Sequence, residues 1–176
     1  MRKAIAAVII AFMATICQAQ KFGIRSNLIG LATGSLNIEV SKAISDKITL
    51  HFPISWNPFI FDNNKKINHT AIQPGIRLWQ WHSYSGLFYG IQAIGIVCNI
   101  GIKEFRYYGS GVGGSLSFGY SRMLTKNLNI EAETGLGGGW IAYDKYQRQL
   151  CGEFEGSWRG YKICPTRVSI SIMYIF

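Results

Sequence analysis

The stretch "TRVSISIMYIF", Thr166–Phe176, closes the chain, and its reading decides the fold. Its even positions are Thr166, Val168, Ile170, Ile172, Tyr174 and Phe176; its odd positions begin with Arg167, Ser169 and Ser171. A period of two sorts side chains onto the two faces of a β-strand, here one apolar and one starting polar. Most domains end in a polar, frayed tail. A terminal strand that stays apolar to an aromatic last residue implies that its backbone groups are paired to the end.

The same alternation runs upstream. "KITLHFPISWN" sets Ile48, Leu50, Phe52, Ile54 and Trp56 against His51, Pro53, Ser55 and Asn57. "SLNIEVSKAI" sets Leu36, Ile38 and Val40 against Asn37, Glu39 and Ser41. "GVGGSLSFGYS" and "NLNIEAETGLGGGW" alternate likewise, and helical periodicity is convincing nowhere. The pattern predicts eight strands, roughly 21–30, 35–44, 47–57, 69–80, 86–99, 111–123, 127–142 and 164–176. "SDK", "WHSYS" and "TKN" are short connections; "PFIFDNNKKIN", "IGIKEFRYYGS" and the stretch from Tyr143 to Ile163 are long. "LATG" breaks the scheme.

Long connections on one side and short turns on the other are the pattern of an outer-membrane barrel. In lipid every backbone group needs a partner, so strands span only as a closed barrel. The expected fold is all-β: an eight-stranded antiparallel transmembrane (outer-membrane) β-barrel with both termini periplasmic. Tyr174 and Phe176 fall where an aromatic girdle meets headgroups. Ile170, Ile172, Tyr174 and Phe176 also resemble the C-terminal signal read by the barrel assembly machinery. That machinery and outer-membrane lipid are therefore expected partners. A soluble, lipocalin-like secreted carrier is the competing all-β reading.

The start, "MRKAIAAVIIAFMATICQAQ", has the parts of a secretory signal: Arg2 and Lys3, an apolar run from Ala4 to Ile16, and small residues before a cut after Ala19. The expected division is a signal peptide over 1–19 and a barrel domain over 20–176. Lipidation at Cys17 competes, but Ile16 is bulky where such sites want Gly or Ala. Removing Arg2 and Lys3 leaves 16 basic and 9 acidic residues, a charge of +7. Those charges are scattered through a secreted chain, which argues against nucleic acid as a partner. No later segment reaches 18 consecutive apolar residues, yet 48% of the chain is hydrophobic and 14% aromatic. That balance suits a β protein with a large core or a membrane signal spread over strands.

The mature chain keeps Cys98, Cys151 and Cys164, an odd number that excludes a disulfide scaffold. Cys151 and Cys164 flank a loop and are the candidate disulfide in an oxidising compartment; closing it contributes about 3 kcal/mol at most. Two unpaired thiols are the alternative.

With even positions of the first, fourth and eighth strands facing out, Arg25, Asn27, Gln73, Arg77, Arg167 and Ser169 face in, with Glu39, Glu131 and Glu133 from the second and seventh. Three arginines then meet three glutamates, and buried charges must be paired. Gly113, Ser115, Ser117, Gly119, Gly135 and Gly137 leave room opposite. An eight-stranded barrel is only wide enough for side chains to fill it. The candidate interior network is therefore Arg25, Glu39, His51, Arg77, Glu131, Glu133 and Arg167, a polar plug and not a pore.

Other motifs carry less. "GSGVGG", Gly109–Gly114, fits G-x-G-x-x-G, but an alternating strand follows it where a dinucleotide fingerprint needs a helix. His51, His69 and His82 lack ligand spacing, and no Cys/His cluster suggests zinc, so no cofactor or metal is expected. His51, Ser55 and an inward glutamate are the one trio available for catalysis, and nothing in their spacing is specific. "IKEFRYYGS" supplies Lys103, Phe105, Arg106, Tyr107 and Tyr108 as a candidate partner-binding loop, or as a membrane-rim loop.

Assembled in order, "IRSNLIG", "LNIEVS", Trp56, "QPGIRLWQ", "GLFYGIQ", "GGSLSFGYS" and "SWRGYKICPTRVSISIMYIF" resemble a family of small outer-membrane barrels of unknown function from Gram-negative gut bacteria. Gln73 departs from it, standing where the family often has an acid. Such genes often lie beside fimbrial subunit genes, so the resemblance implies a role with a fimbrial or other surface protein. The expected function is a non-enzymatic surface anchor or assembly factor. An envelope lipid-modifying enzyme, or a barrel binding lipid or a small ligand, is the alternative.

Overall fold

A computed structural model describes residues 22–61, 65–101, 104–149 and 152–176. The expected leader over 1–19 lies outside them. Ten strands form: β1 Phe22–Asn27, β2 Leu36–Ser45, β3 Ile48–Asn57, β4 Ile60–Phe61, β5 Lys65–Ile72, β6 Gly75–Trp79, β7 Gly86–Gly101, β8 Phe105–Met123, β9 Leu128–Gln147 and β10 Phe154–Ile175. One helix, α1 Leu28–Ala32, follows β1; the Asn27 side chain caps it by accepting from the Ile29 amide.

All ladders are antiparallel, in the order β2-β1-β10-β9-β8-β7-β6-β3-β5-β4, with β2 also pairing β3 and β5 also pairing β7. The pairing thus returns to its start through β2–β3, and β4 hangs from β5. Nine strands take part in the ring, with β5 and β6 lying end to end in the one place between β3 and β7, so the expected barrel of eight unbroken membrane-spanning strands is corrected. The physical reason is Pro74. Proline cannot donate to a ladder, and it divides the segment expected as one strand over 69–80 into β5 and β6.

Two further expectations change. "LATG" ends a helix instead of forming a bare loop. Most described residues of the long loops expected after the fifth and seventh strands are strand: β7 to β10 run for 16, 19, 20 and 22 residues. A tilted membrane-spanning strand needs about 9–11 residues. The contrast of long loops with short turns, on which the membrane reading was built, is largely absent. The outer-membrane placement with periplasmic termini, and the lipid and assembly-machinery partners derived from it, are withdrawn with that contrast. Among the described residues no helix is long and apolar enough to cross a membrane, a statement about helices alone.

The circuit has a filled interior. One end is closed by Ala43, Trp79, Tyr84, Phe88, Met173 and Ile175. Trp79 and Phe88 rings lie 4.6 Å apart, and the indole N–H donates to Thr49 Oγ1 at 3.0 Å. Tyr84 comes from the turn between β6 and β7. Its backbone sits at φ 68°, and its carbonyl accepts from Ser121 and Asn129. Gly119 makes room for this cap, since a Cβ there would stand 2.3 Å from Phe88 Cζ. The outer face is apolar along β2, β3, β7, β8 and β10, where Ile38, Leu50, Ile91, Leu116 and Ile170 are exposed. In β10, Ile170, Ile172, Tyr174 and Phe176 are exposed, while Ser169 and Ser171 are buried.

Candidate functional site

Above the aromatic cap, strand alternation brings charges from five strands to one point. Arg25 on β1 stands opposite Glu39 on β2, and its guanidinium reaches Glu39 at 2.5 Å, Glu131 at 2.6 Å and Glu133 at 3.0 Å. Arg77 on β6 meets Glu39 and Glu133, each at 2.9 Å. Arg167 on β10 meets Glu133 through Nε at 3.0 Å and also pairs with Glu39. Gln92 on β7 joins them: it accepts from Arg167 at 3.0 Å and donates to Ser117 at 2.8 Å and Glu133 at 3.1 Å. Arg77 also lies 4.9 Å from the Phe88 ring, coupling the network to the cap.

Three cations and three anions balance, and every one of them is buried or nearly so. Burial alone would raise the pKa of Glu133, but Arg77, Arg167 and Arg25 hold it down to about 2. Glu39 is likewise held well below the carboxylate range by Arg25, Arg77 and Arg167 against its burial. His51, from β3, is also inside, with Nδ1 3.9 Å from Glu39. Burial and the Arg77 charge push its pKa down to about 3, so it is neutral at ordinary pH. No hydrogen bond joins His51 to Ser55 or to a carboxylate among the described residues, so the catalytic trio is not assembled. Arg25, Glu39 and Arg167 form the floor of an open cavity of about 240 Å³, walled by Asn27, Asn37, Ser55, His69 and Gln73.

Beyond the cavity, β7–β10 project as an extension of the sheet, and the inward face there changes from charge to aromatic rings. Odd positions of β9 stay on the face that carries Glu131 and Glu133, through Tyr143 and Lys145. In β10 the register shifts between Pro165 and Arg167. The extra residue inverts the alternation, so Trp158 and Lys162 join Arg167 on the inward face. Trp158 then sits directly opposite Tyr143, and their rings stack with centroids 5.5 Å apart. Tyr107 on β8 packs edge-on against Tyr143, also at 5.5 Å. Lys162 Nζ lies 4.4 Å from the Trp158 ring, and Lys145 Nζ 3.5 Å from the Phe105 ring. Lys145 also pairs with Glu155 at 3.1 Å. The result is a pre-stacked aromatic row edged by lysines.

The candidate loop residues Phe105, Arg106, Tyr107 and Tyr108 are the start of β8, and Lys103 lies outside the described residues. Tyr107 joins the inward row; Arg106 packs over Tyr146 at 4.8 Å. Cys164 is a free, exposed thiol, and its candidate partner Cys151 lies outside the described residues. Sequence reasoning missed Gln92 and the whole row of Tyr143, Trp158 and Lys162. The period of two in "GWIAYDKY" was the available signal for β9; for β10 the bulge hides the phase.

Among the described residues no group of three or more His, Cys, Asp or Glu side chains could hold a metal ion. Comparison with curated proteins and with solved structures gives no match. The resemblance to outer-membrane barrels encoded beside fimbrial genes is corrected: the family that matches is described only as of unknown function, with neither location nor partner attached. The anchoring and fimbrial-assembly role, and the lipid-enzyme and ligand-barrel alternatives, rested on that barrel and are set aside. By a match over residues 5–176, the chain belongs to the family described as "Protein of unknown function (DUF3575)".

Proposed function

We propose that the protein is a non-catalytic binding protein that holds an acidic polysaccharide along the aromatic row Tyr107–Tyr143–Trp158. The observation that carries this reading is the row itself: rings already packed against one another across three adjacent strands, Trp158 stacked on Tyr143 and Tyr107 edge-on to it, with Lys145 and Lys162 beside them. Pyranose rings present apolar C–H faces that pack on aromatic planes, and the loss of apolar surface to water drives that contact. The lysines supply the partners for sugar carboxylates or sulfates. Rings fixed on strands lose little side-chain freedom on binding, so the row is pre-organised.

The interior supports a structural role for the charge network. Its six charged groups are engaged with one another. Glu39 and Glu133 are held as carboxylates and His51 is held neutral, so none of the three is poised to exchange protons near neutral pH. The network locks the scaffold from which the row projects.

Titration calorimetry of the purified full chain with polygalacturonate tests the reading, with dextran as the uncharged control and polyglutamate as the acidic peptide control. Binding to polygalacturonate alone is expected, weakened at least tenfold in Trp158→Ala and in Lys162→Ala. Absence of polygalacturonate binding, or stronger binding to polyglutamate, overturns it.

A further inference from the structure

One edge of the extension has no strand beside it. β10 pairs with β9 along its whole length, from Phe154 to Tyr174. On its other edge β1 pairs only with Ser171 to Ile175. Among the described residues no strand pairs with that second edge between Phe154 and Ile170. Register shifts at Phe154/Gly156 and at Pro165/Arg167 bound the regular part of this run. Between them Gly156 to Pro165 stay in unbroken register with β9; Pro165 has no N–H to offer a partner, which leaves Gly156 to Cys164, nine residues centred on Gly160. Every second residue turns its N–H and C=O toward the open side. Such a row is a template for another strand. Arg159, Tyr161, Lys162, Ile163 and Cys164 are exposed along it.

We infer that this edge is the interface of a two-fold homodimer, in which the Gly156–Cys164 runs of two copies pair antiparallel about Gly160. The inference stands apart from the polysaccharide reading and goes beyond it. An antiparallel edge is self-complementary under a two-fold axis normal to the sheet, which sets one residue opposite its own copy. The side chains select which residue. Centring on Arg159 or on Lys162 sets a cation against itself, and like charges directly opposite are destabilising. Centring on Gly160 uses every residue from Gly156 to Cys164. It sets Arg159 opposite Tyr161 of the other copy, and Trp158 opposite Lys162 of the other copy. Symmetry repeats both pairs, so every cation in the run faces a ring. At the axis itself the glycine has no side chain to collide with its copy. The bulges at both ends stop the pairing from running on, which fixes its length. The dimer would join two extensions into one continuous sheet.

Analytical ultracentrifugation of the purified full chain tests this, together with three variants. The wild-type chain is expected to be dimeric. Tyr161→Lys sets a lysine opposite Arg159 and should raise the dimer dissociation constant at least tenfold. Adding Arg159→Glu to Tyr161→Lys converts the clash to opposite charges and should restore the dimer. In a chain with Cys17, Cys98, Cys151 and Cys164 changed to Ser, Gly160→Cys should give a disulfide-linked dimer on mild oxidation, because residues opposite each other on paired strands lie within disulfide reach. A monomeric wild-type chain overturns the inference. So does a dimer indifferent to Tyr161→Lys, or one that binds through unrelated positions and leaves the Gly160→Cys chain uncrosslinked. Polysaccharide titration of the same variants reads the binding row separately, so the two proposals fail independently.

Discussion

Replacing Glu133 by glutamine removes one charge from the interior while keeping the shape of the side chain. Glu133 meets Arg25 at 3.0 Å, Arg77 at 2.9 Å and Arg167 at 3.0 Å. Three arginines would then face two glutamates at a buried site. Stripping one partner from a buried ion pair costs about 3–5 kcal/mol. The titration behaviour of Glu133 gives an independent figure. Its pKa is about 2 against an ordinary 4.5, and that depression corresponds to about 3 kcal/mol at neutral pH. The folded pKa is the lower one, so this stability is present above pH 4.5 and is lost as pH falls toward 2. Urea unfolding followed by tryptophan fluorescence checks both statements. With an urea slope of about 2 kcal/mol/M, the midpoint at pH 7 should fall by about 1.5 M or more. The mutant's stability should also fall less steeply than the wild type's between pH 4.5 and pH 2. A Glu133→Gln midpoint within about 0.3 M of wild type at pH 7, a difference of about 0.6 kcal/mol on the same slope, would refute the reasoning.

His51 sets a second pH dependence in a separate window. Its folded pKa of about 3 lies below the ordinary 6.5, so the unfolded chain takes up a proton that the folded chain refuses. Stability should fall by about 2 kcal/mol as pH drops from 6.5 to 4.5, and His51→Leu should flatten that slope in urea titrations; of the groups facing the ring, the Glu39 and Glu133 carboxyls are held below this range by their arginine partners. The thiols should differ in reactivity. Cys164 is exposed, while Cys98 is half-buried with its pKa raised by burial, so maleimide labelling of the folded protein read by mass spectrometry should modify Cys164 first. Equal labelling of both would place Cys98 at the surface.

The face assignments were legible in the sequence because alternation is a local property. A period of two in "RVSISIMY" separates Ser169 and Ser171 from Ile170 and Ile172 whatever the rest of the chain does, and the same holds for Glu131 and Glu133 against Ile130 and Ala132. The residue types of the interior were legible for the same reason.

The extent of the strands was less legible. Asp144, Lys145 and the residues that follow look like a loop until β8 and β10 are beside them, because aspartate and lysine have weak strand preference of their own. Pro74 was visible, yet its effect of dividing one strand into two depends on β3 and β7 lying on either side. The aromatic row was hidden by a single bulge. One extra residue at Pro165–Arg167 decides whether Trp158 points toward Tyr143 or away from it, and a bulge forms in response to its neighbouring strand.

By itself, then, the sequence determined that this chain is a sheet protein with polar and apolar faces and a stock of balancing charges for one of them. Only the tertiary structure decided that β5 and β6 share one place in the circuit, that Gln92 joins Arg167 to Glu133, and that Tyr84 helps close one end. The physical reason is range. Which face a side chain takes follows from its immediate neighbours, whereas which partner it meets follows from register, and register is set by pairing between segments up to 152 positions apart, as Gly23 and Ile175 are.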